Sequence, residues 1–199
     1  MLQSLAYSSI VLHQSVFRVL LKAMTHPGEI YHLPAAGISD GVGIIKAVSQ
    51  TLLDHEVTFA LSGKPHPLFL AEDILKWTHS HHVPAEEADF LIITGPDSDK
   101  DILQLQRGSP EMPDAGATVL FLLTRPIGNK ENYIPLSITG PGISPSGQRI
   151  FPAMSIPIED VNAIKEANME FPMGIDCFFL DPYGAVIGLP RSVTLRRKI

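Results

Sequence analysis

The sequence predicts an α/β fold, a three-layer α/β/α sandwich built on a mixed β-sheet, and three observations carry that reading. Helical and extended apolar patterns alternate through the first half of the chain. Residues 117–123 are apolar without alternation, which suits a strand covered on both faces. The last third is richer in strands and closes on a hairpin, so the sheet is mixed rather than purely parallel.

In chain order, a first helix is predicted over residues 15–25, where Val16, Phe17, Leu20, Leu21 and Met24 recur at helical spacing. His26-Pro27-Gly28 stops it, since proline disfavours helix in the residue before it and glycine permits a sharp exit. A short strand over 30–33 ends at Pro34. Asp40 caps a second helix that carries Ile44, Ile45, Val48 and Leu52 on one face. Residues 57–61 read as a strand, 71–78 as a helix, and 90–94 as an apolar strand closed by Gly95-Pro96-Asp97. A short helix over 102–106 precedes the most apolar strand, 117–123. Residues 133–138 read as its neighbour, with Pro135 favouring an edge position because proline cannot donate to a ladder. A helix over 159–169 turns Val161, Ile164 and Ala167 inward. Finally, residues 175–180 and 185–189 pair across Asp181-Pro182-Tyr183-Gly184, which is good turn chemistry.

A chain of 199 residues fits one domain spanning 1–199. Its 45% hydrophobic and 18% charged content excludes a disordered chain. The lone Cys177 cannot form an internal disulfide, and the first residues lack a basic region followed by an apolar run. No stretch approaches the ~18 consecutive apolar residues of a membrane span. The expected location is therefore cytoplasmic. A net charge of −6 argues against a nucleic-acid reader, and Arg196-Arg197-Lys198 reads as a solvated tail.

Most motif candidates fail on their own chemistry. Gly41-Val42-Gly43 begins like a dinucleotide fingerprint, but Lys46 stands at the third glycine position and Pro34-Ala35-Ala36-Gly37 is no strand. Gly63-Lys64 lacks the glycine and hydroxyl of a phosphate loop, because Thr58 and Pro65 occupy those positions. Asp97-Ser98-Asp99-Lys100-Asp101 opens like a calcium loop, yet Ile102 and Gly108 replace its glycine and closing glutamate; the aspartates read as caps for the next helix. His79, His81 and His82 have no carboxylate or thiol at metal-site spacing and read as a solvated helix end. Cys177 reads as a small buried hydrophobe, and Asp176, in the same strand, needs an ionic partner. No catalytic residue and no metal ligand set is assigned.

Two loops remain. Thr139-Gly140-Pro141-Gly142 follows a strand, where glycine lets backbone N–H groups approach an anion. Pro190-Arg191 follows another and sets a guanidinium at a strand end. If the two converge, Thr139, Gly140, Gly142 and Arg191 outline an anion or nucleotide site; two unrelated surface turns would give the same sequence.

Several stretches, taken in order, resemble the PhnH family, a subunit of the bacterial carbon–phosphorus lyase system for phosphonate breakdown. They are Phe17-Arg18-x-Leu20-Leu21-x-Ala23-Met24-x-x-Pro27-Gly28, Leu52-Leu53-Asp54-x-Glu56-Val57-Thr58 and Gly108-Ser109-Pro110-Glu111-x-Pro113-Asp114-x-Gly116-Ala117-Thr118. Thr139-Gly140-Pro141-Gly142-Ile143, Phe171-Pro172-x-Gly174-Ile175-Asp176 and Gly188-Leu189-Pro190-Arg191 complete the set. Asp114 departs from the family pattern, which has glutamate there. The resemblance implies a fold related to the pyridoxal-phosphate-dependent transferases without their cofactor, and a homodimer. It also implies assembly with PhnG, PhnI and PhnJ, around displacement of adenine from ATP by a phosphonate. It carries over no catalytic residue, which leaves the chain an accessory subunit. Two other readings stand beside it: a small phosphate- or nucleotide-handling enzyme using Gly140–Gly142 and Arg191, and a regulatory module that senses a nucleotide.

Overall fold

The computed structural model describes residues 2–34, 40–63, 69–130, 134–143 and 148–197, with side chains from residue 9 onward. Among the described residues the helices are α1 (Leu2–Thr25), α2 (Gly41–Leu52), α3 (Leu70–Thr78) and α4 (Ile158–Ala167). The first five strands are β1 (Tyr31–His32), β2 (Thr58–Ser62), β3 (His81–His82), β4 (Phe90–Ile93) and β5 (Thr118–Leu122). The remainder are β6 (Leu136–Thr139), β7 (Arg149–Ile150), β8 (Asp176–Leu180), β9 (Ala185–Leu189) and β10 (Thr194–Arg197). The α/β class holds.

Seven strands form one mixed sheet in the order β1-β9-β8-β5-β4-β2-β3. From β8 through β5, β4 and β2 to β3 the pairing is parallel, while β9 and β1 add antiparallel at the other side. The central position of β5 explains its unbroken apolar run. Side chains alternate between two cores, as strand geometry requires. Leu91, Ile93, Val119, Phe121, Cys177 and Phe179 face one. Ile92, Leu120, Phe178 and Leu180 face the other.

The second core is closed by α1, α2 and α3 through Val16, Leu20, Ile44, Val48 and Ile74. Asp40 caps α2 as expected, its Oδ1 accepting the Gly43 N–H at 2.8 Å. Packing of α1 on β9 is backbone-close: a Cβ on Gly188 would stand 2.6 Å from the Ala23 carbonyl. The first core is closed by Val161, Ala163, Ile164 and Ala167 of α4, and also by a second sheet in the order β10-β6-β7. Helices alone therefore do not cover that face.

Three expectations change. The first helix begins at Leu2, thirteen residues before the predicted start at Ser15, because Ile10 and Val11 stay exposed and break the apolar rhythm. The strand predicted over 133–138 is β6, which is not beside β5 but central in the second sheet; Pro135 lies just before it and Tyr133 outside the described residues. Arg196 and Arg197 belong to no frayed tail, since β10 pairs with β6 from Thr194↔Thr139 to Arg197↔Leu136. No helix of the described residues is long and apolar enough to cross a membrane.

Candidate functional site

Because β9 runs antiparallel to β8, the hairpin returns Arg191 to the amino ends of the parallel strands, beside Asp176 at the start of β8. The Arg191 backbone N–H donates to Asp176 Oδ1 at 2.8 Å. Its Nε and Nη2 donate to Oδ2 at 3.1 and 2.6 Å, a two-pronged pair with side chains 14% and 25% exposed. Nη1 donates to the Pro113 carbonyl, and Nη2 also to that of Gly116 at 3.2 Å. Asp176 thus has the ionic partner its place in the strand demanded. Asn168 at the end of α4 adds a further tie, accepting the Ile175 N–H at 2.7 Å and donating to its carbonyl at 3.1 Å.

The residues read as an anion site are brought together only in part. Thr139 lies opposite Thr194, and Gly140 (φ +144) packs against Ser192, the residue after Arg191. Gly142 instead packs on Thr25 and Pro27 at the end of α1. The Arg191 guanidinium is bonded to Asp176, Pro113 and Gly116. An anion there would compete with the Asp176 carboxylate.

The opposite edge of the sheet holds a different constellation. In open α/β sheets ligands gather at the carboxyl ends of the parallel strands. Here the turns after β2 and β4 touch backbone to backbone, since a Cβ on Gly63 would sit 2.6 Å from the Gly95 nitrogen. Ser62 Oγ donates to the Ser98 carbonyl at 2.6 Å, and Ser98 Oγ donates to Asp160 Oδ1 at 2.5 Å. Asp160 lies in the first turn of α4 and is 3% exposed. Its second oxygen, Oδ2, has no hydrogen-bond partner. A cavity of about 270 Å³ is lined by Asp160 with Ile93, Phe121, Ile156, Pro96 and Pro157, and by the polar Thr124 and Ser155. A second, of about 500 Å³, reaches Asp160 past Asp97, Asp99, Lys100 and Glu159. Burial, and beyond it the Asp97 and Glu159 charges, raises the Asp160 carboxyl above its ordinary value against the pull of Ser98.

Because that raised value disfavours the ionised form in the folded chain, the folded state holds its proton to higher pH than the unfolded one. The stability Asp160 contributes is full below the ordinary aspartate value and is lost as pH rises through the raised one. Asp160→Asn is therefore expected to gain on the parent protein as pH climbs from 4 to 8. Denaturant unfolding of both proteins across that range measures it; a constant gap would refute the assignment.

Nothing in the notion of a helix cap predicts this site, and the aspartates expected to cap do not. Lys100 stands at the start of the short helical turn Asp101–Gln104, while Asp97 accepts the Asp99 N–H at 3.1 Å. A signal was nonetheless present: Asp160, Ala163, Ile164 and Ala167 share one helical stripe, which places a carboxylate on an apolar face. Cys177 is fully buried, and burial followed by the Asp176 charge pushes its thiol well above the ordinary range. His79, His81 and His82 are exposed.

A family model described as bacterial phosphonate metabolism protein (PhnH) matches residues 7–196, nearly the whole chain. Among curated proteins there is no match.

Proposed function

The chain belongs to the PhnH family of bacterial phosphonate metabolism, and from that membership we propose that it is an accessory, cytoplasmic subunit of the carbon–phosphorus lyase assembly. It acts as one 1–199 unit, a cofactor-free homodimer of the transferase-related three-layer fold, alongside PhnG, PhnI and PhnJ. Displacement of adenine from ATP by a phosphonate, giving a ribose 1-phosphonate 5-triphosphate, takes place mainly in those partners.

The observation that carries this reading is the outer face of α1. Ile10, Phe17 and Leu21 are 65%, 50% and 53% exposed and lie on one helical stripe, at i, i+7 and i+11. Phe17 and Leu21 stand one turn apart, with Ile10 beyond the exposed Gln14, and apolar surface grouped on one helix face suits a protein interface. Arg18 and Lys22 border the stripe and α1 contains no acidic residue, so a second copy would set like charges together. A different subunit with an acidic rim suits it better. Two charged or polar positions in the stretches that carry the family resemblance support the same reading, because they are engaged within the chain: Arg191 with Asp176, and Thr58 with Asp89 at 2.8 Å.

Co-expression with PhnG, PhnI and PhnJ, followed by mass measurement of the intact assembly, tests it. The parent chain is expected in the assembly, and the double variant Phe17→Glu/Leu21→Glu is expected to be missing from it while keeping its own melting temperature. ATP with methylphosphonate should be consumed by the mixture and not by the isolated chain. Turnover by the isolated chain would overturn the proposal.

A further inference from the structure

We propose that the crevice at the carboxyl ends of β4 and β5 binds a small organic cation, an ammonium group carried on an apolar body, which donates to Oδ2 of Asp160. The inference is independent of how the chain sits in an assembly.

Three features converge on it. Asp160 is almost wholly enclosed, yet only Oδ1 is satisfied, by the Ser98 hydroxyl and, at 3.3 Å, its backbone N–H. A buried acceptor without a partner costs stability, and a ligand donor restores the missing bond. The cavity against it is walled by Ile93, Phe121, Ile156, Pro96 and Pro157, which suits an apolar body, with Thr124 and Ser155 as the polar side chains beside Asp160. The neighbouring cavity, which Asp160 also lines, carries Asp97, Asp99 and Glu159 against the single cation Lys100. That imbalance attracts a cation and repels a phosphate or carboxylate.

A bare metal ion fits less well, because no group of three or more His, Cys, Asp or Glu among the described residues is arranged to hold one. An ammonium needs only one carboxylate and apolar walls. The Ser62–Ser98–Asp160 chain fixes the carboxylate in place, so its acceptor geometry exists before a ligand arrives.

Benzylammonium, benzyl alcohol and benzoate form a charge series on one apolar ring. Titrated against the full-length protein by calorimetry and saturation-transfer NMR at neutral pH, benzylammonium is expected to bind at least about tenfold tighter than benzyl alcohol, a charge-assisted hydrogen bond's worth. Benzoate should not bind. Asp160→Asn should lose that tenfold preference and leave benzyl alcohol unchanged. Thr124→Trp, which keeps Asp160 and adds bulk to the cavity lining, should abolish binding of both, so the test survives a poorly folding Asp160 variant. Equal binding of the three probes, no binding of benzylammonium, or undiminished binding in Asp160→Asn would each overturn the proposal. So would an Asp99→Asn variant losing as much as Asp160→Asn, since the rim alone would then explain the attraction.

Discussion

Arg191→Ala is expected to lower the melting temperature by roughly 10 °C, read by calorimetry or circular dichroism, since breaking a buried ion pair costs about 3–5 kcal/mol, a partly buried one falls toward the lower end, and a chain this long shifts about 2–4 °C per kcal/mol. Removing the guanidinium strands the Asp176 carboxylate and frees the Pro113 and Gly116 carbonyls together. Three segments distant in sequence, the turn before β5, the start of β8 and the end of β9, lose their common tie. Arg191→Lys should recover only part of the loss, because an ammonium cannot reproduce a planar fork over one carboxylate and two carbonyls. The same variant separates the readings of Arg191. A residue reserved for an anion in a working enzyme would leave the melting temperature unchanged and remove activity; a structural tie does the reverse.

That contrast marks where sequence reasoning succeeds. The need of Asp176 for a partner was legible, since a carboxylate within an apolar strand cannot stay alone. The identity of the partner was not, because it depends on the antiparallel return of β9, which brings residues 176 and 191 together at the amino edge. Read as a strand end alone, Arg191 gives no hint of which edge it occupies. The strands themselves were legible where turn chemistry is local, as at Asp181, which accepts the N–H groups of Tyr183, Ala185 and Ile127 at 2.8–3.0 Å. The strand β6 was legible but its place was not, because its partners are β10 and β7 and only tertiary packing chooses between sheets. β10 carried a weak signal, the alternation of buried Val193 and Leu195 with exposed Thr194 and Arg196, outweighed by its terminal cations.

Asp160 extends the same lesson to the candidate site. Its stripe on α4 says that the carboxylate faces inward, but not what waits there. The structure supplies a serine for one oxygen and no partner for the other, beside a cavity that Asp160 lines. Packing energy and ligand chemistry meet in the wall of that cavity, through Phe121.

Phe121 is held by Phe179, whose ring stacks on it at 4.9 Å and meets Phe151 edge-on at 5.8 Å. Phe151 follows β7 and donates its N–H to the Leu136 carbonyl, so the three rings join the seven-stranded sheet to the three-stranded one. Phe179 is 1% exposed. Phe179→Ala is expected to cost about 3–5 kcal/mol, the range for a fully buried phenylalanine whose cavity cannot collapse. Phe179→Leu, which keeps most of the volume, should cost only about 1–2 kcal/mol. Denaturant unfolding at constant slope checks both, since an unchanged slope means that stability and not compactness has moved. The consequence reaches beyond stability. With its stacking partner gone, Phe121 can rotate into the void, and the part of the cavity wall that it forms loses its shape. Benzylammonium affinity should therefore fall in Phe179→Ala under conditions where the protein remains folded, and hold in Phe179→Leu. Equal affinity in both variants would mean that Asp160 and the acidic approach define the crevice without help from the aromatic cluster beneath it.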